Sequence, residues 1–465
     1  MPQAVANSLQ PWFWQTLPLD GRSGSEVFEQ LFSTSAISVL LESPYPNPED
    51  QPQARYSICA GPPRNTANRP HIWTPALGDI FPCLGSRLAS GSSLRGEGVP
   101  SQLPFVGGWL GWLGFDAAWE IELLPWRNPE QLPFPVAFWY EPAVFAVLDH
   151  ETQSLWLATS DPDTAIAYRQ KLETERPVSV RSSPQLASSL QFLWSKEAFI
   201  DAVNRAQAYI HAGDIFQTNL SLRFQATTQS NGWAIYRRLQ TINPSPFASY
   251  WRTPWGELIS CSPERLLHKQ GSQLQTRPIA GTRSRGVTPE SDQRLAQELQ
   301  LNAKELAEHI MLVDLERNDL GRVCQWGTVE VDELLVIERY SHVMHLVSNV
   351  RGELRSDLDV IAAIKAVFPG GTITGCPKVR CLEIIEELEP LRRSLFYGSC
   401  GYLDYRGNCD LNILIRTLLL TSQDSAISNI WGQVGAGIVA DSQPVKEWEE
   451  SLQKAQAQLQ ALGLS

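Results

Sequence analysis

The sequence has no cysteine pair at C-x-x-C spacing, no apolar run near the roughly eighteen residues of a membrane-spanning helix, and no excess of positive charge. Each absence removes a class of function. The eight cysteines, at positions 59, 83, 261, 324, 376, 381, 400 and 409, suggest neither a zinc ribbon nor a thioredoxin-like motif, so reduced and mostly buried thiols are expected. A formal charge of -12 and a pI near 5.2 give no electrostatic footprint for nucleic acid or anionic membrane, and an anionic substrate would need a local basic pocket. The opening MPQAVANSLQPWFWQTLPLDG lacks the basic start and apolar core of a signal peptide, which points to a cytoplasmic protein. GSCGY around Cys400 places its second glycine one residue early for a G-x-C-x-G nucleophile elbow.

What is present is a chain of 465 residues, 43% hydrophobic and 19% charged, enough for two or three ordinary domains or one large core with an appendage. The Trp- and Pro-rich first third holds strand-like runs such as AISVLLES, ARYSICAG and EPAVFAVLDHETQSLWLATS, the last reading as a hairpin. A polar, weakly periodic stretch at about 174 to 191 reads as a linker, dividing the chain into regions 1–185 and 190–465. Beyond it, Ser195 caps a helix closed by Gly213, and a helical pattern returns in QRLAQELQLNAKELAEHIMLVDLERNDLGRV. A turn at YRGN separates two alternating runs, and PVKEWEESLQKAQAQLQALG is helical. Strands and helices mix without a βαβ rhythm, so the expected fold class is α+β with a large mixed or antiparallel sheet, preceded by a smaller strand-rich N-terminal region.

Two Glu-x-x-Glu pairs carry the first chemical signal. Glu305 and Glu308 project from one helix face, as do Glu447 and Glu450, with Lys454 following on the same side. Two such helices can converge on one hard cation, for which Mg²⁺ is the natural candidate; two solvated acidic faces are the alternative that spacing leaves open. Anion-reading groups accompany them: Arg277, Arg283 and Arg285 in TRPIAGTRSRG, Arg416 in IRT, and the glycines of GAGIVADS. His342 and His345 lie three apart without further zinc ligands nearby, leaving a satisfied core histidine or an acid/base group. In FPGGTITGCPK, Gly370 and Gly375 have P-loop spacing, but Cys376 and Pro377 stand where the motif needs Lys and then Ser or Thr.

In combination, GDIFQTNLSLRF, SPERLL, TRPIAGTRSRG, KELAEHIMLVDLERNDLGRV, ERYSHVMHLVS, FPGGTITGCPKVRCLEIIEELEP, GSCGYLDYRGNCDLNILIRT and GAGIVADSQPVKEWEESLQKA resemble the chorismate-utilising enzyme family, in the family's order and over most of residues 195–460. LLES, RYS and PFVGGWLGWLGFD extend the likeness to the N-terminal region of the aminating members. The resemblance implies the chorismate-binding fold, with Glu308 and Glu450 as Mg²⁺ ligands supported by Glu305 and Glu447. It further implies a pocket formed by Ala280, Gly281 and Thr282, with Thr372 near the ring and His345 and Lys454 as catalytic candidates. Arg416, Tyr397 and the Gly435–Ala436–Gly437 backbone would receive the enolpyruvyl carboxylate.

Where water-adding members carry a Lys base this chain has Gln217, which disfavours water activation and leaves ammonia as the nucleophile. FPGGTITG, SPERLL, QTNLSLRF, ELEPLRR, GSCGYL and ADSQP look like the branch that makes 4-amino-4-deoxychorismate for 4-aminobenzoate and folate. PIAGT, with Ala280 replacing the Lys of PIKGT, looks instead like the anthranilate-forming branch of tryptophan synthesis. The first is the expected activity and the second the alternative; a non-catalytic paralogue is a third reading, against which all four glutamates stand. No glutaminase elbow with downstream His and Glu is found, so a separate glutamine amidotransferase subunit is the expected ammonia source. Ser43, ending LLES, resembles part of a tryptophan-binding segment; an ordinary buried strand is the other reading.

Overall fold

The computed structural model describes residues 12–44, 54–66, 69–91, 100–173, 189–339, 343–422 and 427–464. It is a mixture of helices and antiparallel sheet, in agreement with the α+β expectation. Most of the predicted linker, and His342, lie outside the described residues.

A twelve-stranded sheet begins with Phe13–Pro18, Ser154–Thr159, Val144–Asp149, Tyr56–Ala60 and Ser38–Glu42. It continues through Phe247–Thr253, Gly256–Ser262, Thr417–Ser422, Ser428–Ile438 and Gln217–Thr228 to Gln191–Phe192, while Gly375–Cys376 pairs with the start of Gln217–Thr228. The join between early and late sequence is an antiparallel pairing in which Glu42 lies opposite Ala248. A ten-stranded sheet likewise mixes late strands such as Ile279–Ser284 and Val343–Glu353 with early ones, joined where Gly108–Leu113 pairs with Ser399–Asp404. Strands from both sides of the 185/190 division therefore share continuous sheets, each sheet joining an early block to a late one at a single pairing.

Side chains alternate across a strand, and here both faces of the larger sheet are buried. Val39, Ile58, Phe145, Val147 and Leu419 enter a core shared with Leu110, Trp112, Leu267, Leu403 and Leu411 of the second sheet. Their neighbours Leu40, Cys59, Ala146, Leu148 and Leu418 enter a second core, beneath helices Gly24–Phe32, Lys196–His211, Gly232–Ile242 and Pro444–Ala461. Two-sided burial accounts for the consecutive apolar residues of VFAVLD and TLLL, whose neighbours are buried on both faces of the sheet.

The expected hairpin has Asp149 opposite Ser154, and YRGN turns the chain between Ser399–Asp404 and Cys409–Asn412. Ser195 caps Lys196–His211, its side chain accepting from the Ala198 amide, and Gly213 follows at φ 83°. The single helical pattern at 293–323 is in fact two helices, Pro289–Leu301 and Ala303–Gly321. Asn302 stands between them in an extended conformation, ending the first and capping the second through its side chain, a role for which Asn is suited. Among the described residues no helix is long and apolar enough to cross a membrane.

Candidate active site

The site lies where Ala303–Gly321 meets the strands Gln217–Thr228, Ile279–Ser284 and Ser428–Ile438. Asn302 accepts a 3.1 Å hydrogen bond from the Glu305 amide and so fixes the helix start, placing Glu305 in the first turn and Glu308 in the next. Glu305 Oε1 pairs with Arg283 at 2.6 Å, while Oε2 is buried and has no hydrogen-bond partner among the described residues. Directly against that oxygen runs Gly281, where φ is +68° and an added Cβ would stand 1.9 Å from Glu305 Oε2. Glycine is thus required there by backbone and by space. The same conformation accompanies the register shift between Ala280, opposite Leu346, and Thr282, opposite His345. Ala280 is buried and offers only a methyl group.

Glu308 Oε1 accepts from Gln217 Nε2 at 3.1 Å. Gly437 lies against this pair: a Cβ would be 2.5 Å from Gln217 Nε2 and 3.4 Å from Glu308 Oε1. Two residues back, Gly435 approaches Tyr397, whose hydroxyl would be 2.8 Å from a Cβ. Ala436, between them, is paired with Leu220 and points into the core. Tyr397 and Arg416 both adopt positive φ, 66° and 53°, which non-glycine residues seldom do unless packing imposes it. Burial raises the Tyr397 phenol and lowers the Arg416 guanidinium, the latter opposed by the charges of Tyr397 and Glu450.

The second acidic helix arrives on the far side of Ser428–Ile438. Glu447 is buried, whereas Glu450 is half-exposed and paired with Lys454 at 2.7 Å. Lys454 Nζ also donates to the Gly435 carbonyl at 3.0 Å, and Arg416 donates to the Lys454 carbonyl. Lys454 therefore ties the helix to the strand of glycines. His345 is 7% exposed, with Nδ1 3.4 Å from the Gly281 carbonyl. Burial holds its pKa down to about 4, the Arg416 charge acts in the same direction, and the Gly281 carbonyl opposes both, so the imidazole is neutral at pH 7.

Thr372 sits in the Gly371–Ile373 turn, its hydroxyl buried without a hydrogen-bond partner of ordinary geometry. It faces Glu264, a residue not singled out from the sequence. Burial pushes the Glu264 carboxyl up to about 8, opposed by the Thr372 hydroxyl and the Ile279 amide and reinforced by the charge of Glu316. Glu264 stands in SPERLL, one of the motifs that carry the resemblance, with no spacing of its own to mark it.

The remaining expectations fall elsewhere. Arg277 pairs with Glu333 and Glu338, and Arg285 with Asp292, so neither is an open anion reader. Ser43 is buried at the end of Ser38–Glu42, while its neighbours Leu41 and Glu42 line a cavity of about 950 Å³ with Phe247, Cys400, Tyr402 and Asp410. Cys400 is 1% exposed, and burial pushes its thiol up to about 12, the state of a structural cysteine.

Among the described residues no three His, Cys, Asp or Glu side chains form a cation-sized cluster. The donor chemistry nonetheless fits Mg²⁺: carboxylate oxygens on two helices, one of them, Glu305 Oε2, buried without a hydrogen-bond partner among the described residues.

The sequence model of chorismate binding enzymes matches residues 47–460. The chain is 60% identical to an anthranilate synthase component I-like protein of Synechocystis sp., over 98% of this chain and 92% of that one. It is 47% identical to aminodeoxychorismate synthase component 1 of Bacillus subtilis, over 78% of each. Anthranilate synthase component 1 of the same Synechocystis strain is 40% identical, over 80% of this chain and 79% of that one. The crystal structure of anthranilate synthase component I from Streptococcus pneumoniae superposes with a TM-score of 0.75 at 30% identity, covering 87% of this chain and 92% of the other. The chain belongs to the chorismate binding enzyme family and is a chorismate-utilising enzyme of the anthranilate and aminodeoxychorismate synthase type.

Proposed function

We propose that this enzyme aminates chorismate at C4, giving 4-amino-4-deoxychorismate, with ammonia delivered by a separate glutamine amidotransferase subunit. The observation that carries amination over hydration is Gln217 beside Glu308. A carboxamide takes no proton from water at neutral pH, whereas ammonia already has its lone pair.

Glu308 and Glu450, with Glu305 and Glu447, would hold Mg²⁺, which when bound supplies positive charge for the ring carboxylate of chorismate. Gln217 fixes the rotamer of Glu308 for that task. Arg416, Tyr397 and the backbone of Gly435–Gly437 orient the enolpyruvyl carboxylate, with Lys454 holding the Gly435 carbonyl in place. Thr372 stands by the ring, and Glu264 behind it is protonated at neutral pH. Glu264 gives its proton to the departing C4 hydroxyl, which leaves as water. The C–N bond forms, and the proton shed by the new ammonium group restores the acid. Neutral His345 serves as a hydrogen-bonding group rather than a cationic acid.

Support for C4 over C2 comes from the relatives. The 60% identical Synechocystis protein coexists with that strain's own anthranilate synthase component 1, which is 40% identical to this chain, and the Bacillus aminodeoxychorismate synthase stands at 47%. Ala280 favours the second reading, anthranilate synthesis, because no amine nucleophile is offered on that strand. Chorismate, Mg²⁺ and an ammonium salt given to the purified chain separate the two by product. The first reading predicts 4-aminobenzoate only after a lyase is added; fluorescent anthranilate and pyruvate without one would replace it by the second.

A further inference from the structure

Glu316 lies two turns beyond Glu308 on Ala303–Gly321 and is 7% exposed. With Leu315 it packs on the turn that carries Thr372: a Cβ at Gly371 would stand 2.1 Å from Leu315 Cδ2 and 3.7 Å from Glu316 Oε1. The Gly371 amide and the Thr276 hydroxyl face its carboxylate. One turn further along, Asp319 pairs with Lys378 at 2.6 Å, and Lys378 donates to the Val367 carbonyl at 3.0 Å, closing the segment that contains the turn. Arg393 holds the Ile373 carbonyl at 2.7 Å, and Thr374 donates to the Gly370 carbonyl at 2.9 Å. Across the turn, Thr372 faces Glu264. Two buried carboxyls thus flank one three-residue turn.

We propose that Glu316 is a positioning residue for the Glu264–Thr372 pair, bracing the Gly371–Ile373 turn from the helix side and placing a second buried carboxyl beside Glu264. The charged and polar groups facing the pair are Thr372, the Ile279 amide and Glu316 around Glu264, and Thr276, the Gly371 amide, Asp319 and Lys378 around Glu316. Arg322 and Lys378 face Asp319, and Arg393, which grips the turn, is paired with Glu389. Burial and the Asp319 charge push Glu316 up to about 7, opposed by Lys378. Ionised Glu316 makes Glu264 harder to ionise. Removing the Glu316 charge should therefore leave Glu264 protonated over a narrower range, ending at lower pH.

The consequence for turnover rests on Glu264 being the proton donor; the titration does not. The protonated-carboxyl infrared band of the full chain, assigned by its loss in Glu264→Gln, is titrated without substrate in wild type and in Glu316→Gln. The expected result is a midpoint lower by roughly half a pH unit or more. The alkaline limb of kcat/KM should move with it while KM for chorismate stays within about twofold. Glu316→Asp, which keeps the charge, should return part of the shift, and Glu316→Leu takes over the test if Glu316→Gln does not fold. An unchanged Glu264 midpoint in a folded variant that lacks the carboxylate overturns the proposal. Wild-type rates in Glu264→Gln would instead remove the donor assignment, and the infrared midpoints would still decide whether the two carboxyls are linked.

Discussion

Replacing Gly281 by Ala probes the acidic site through a single methyl group. The new Cβ would lie 1.9 Å from Glu305 Oε2, 2.7 Å from Leu299 Cδ1 and 3.1 Å from Glu305 Cδ, so the carboxylate must swing away. The backbone at φ +68° adds about 1–2 kcal/mol for a residue bearing a Cβ. Displacing Glu305 breaks its pair with Arg283, whose partners are only 17% and 23% exposed; for a partly screened pair this costs about 1 kcal/mol. The sum is about 2–3 kcal/mol of local destabilisation, concentrated on the groups proposed to hold Mg²⁺. Urea denaturation should register the loss, and calorimetric titration should show weakened Mg²⁺ binding relative to wild type. Unchanged stability together with unchanged Mg²⁺ affinity would refute the placement of Glu305 against Gly281.

Glu308→Gln should abolish Mg²⁺ stimulation of turnover while the circular dichroism and melting curve stay close to wild type; an unaltered Mg²⁺ response would take Glu308 out of the metal site. Glu264→Gln should lower kcat by about 10²- to 10⁴-fold, the usual range for a lost general acid, as measured with saturating ammonium. Because the protonated form of Glu264 is the active one, wild-type kcat/KM for chorismate at saturating ammonia should fall as pH rises through about 8, and a profile flat across that range would contradict the assignment. Glutamine alone should not support turnover by the purified chain, whereas ammonium salts should; glutamine-dependent product from the single chain would remove the need for a partner. Native Cys400 should resist iodoacetamide at pH 8 and react only after denaturation, as followed by peptide mass spectrometry.

The acidic pairs were legible because i,i+3 spacing on a helix puts two side chains on one face wherever the helix goes. The expectations for their polar surroundings come from motifs that stand in the order of one family. Helix caps and hairpins also followed from local chemistry, as at Ser195 and YRGN. Asn302 shows the limit of periodicity: the apolar pattern runs through it, yet its side chain favours the cap and splits one expected helix in two. The joining of early and late strands, with Glu42 opposite Ala248, had no local signature, since pairing between distant segments is decided by shared burial. Glu264 escaped for the same reason. Its raised pKa depends on Ile279, Thr372 and Glu316, which separate segments bring together only in the folded chain.

Regiochemistry is decided by the product formed from chorismate, Mg²⁺ and an ammonium salt near pH 8.5, resolved by mass spectrometry before and after addition of an aminodeoxychorismate lyase. Amination at C4 gives aminodeoxychorismate, with 4-aminobenzoate appearing only with the lyase. Anthranilate and pyruvate formed by the chain alone would contradict amination at C4 and make Ala280 the residue that reports the chemistry.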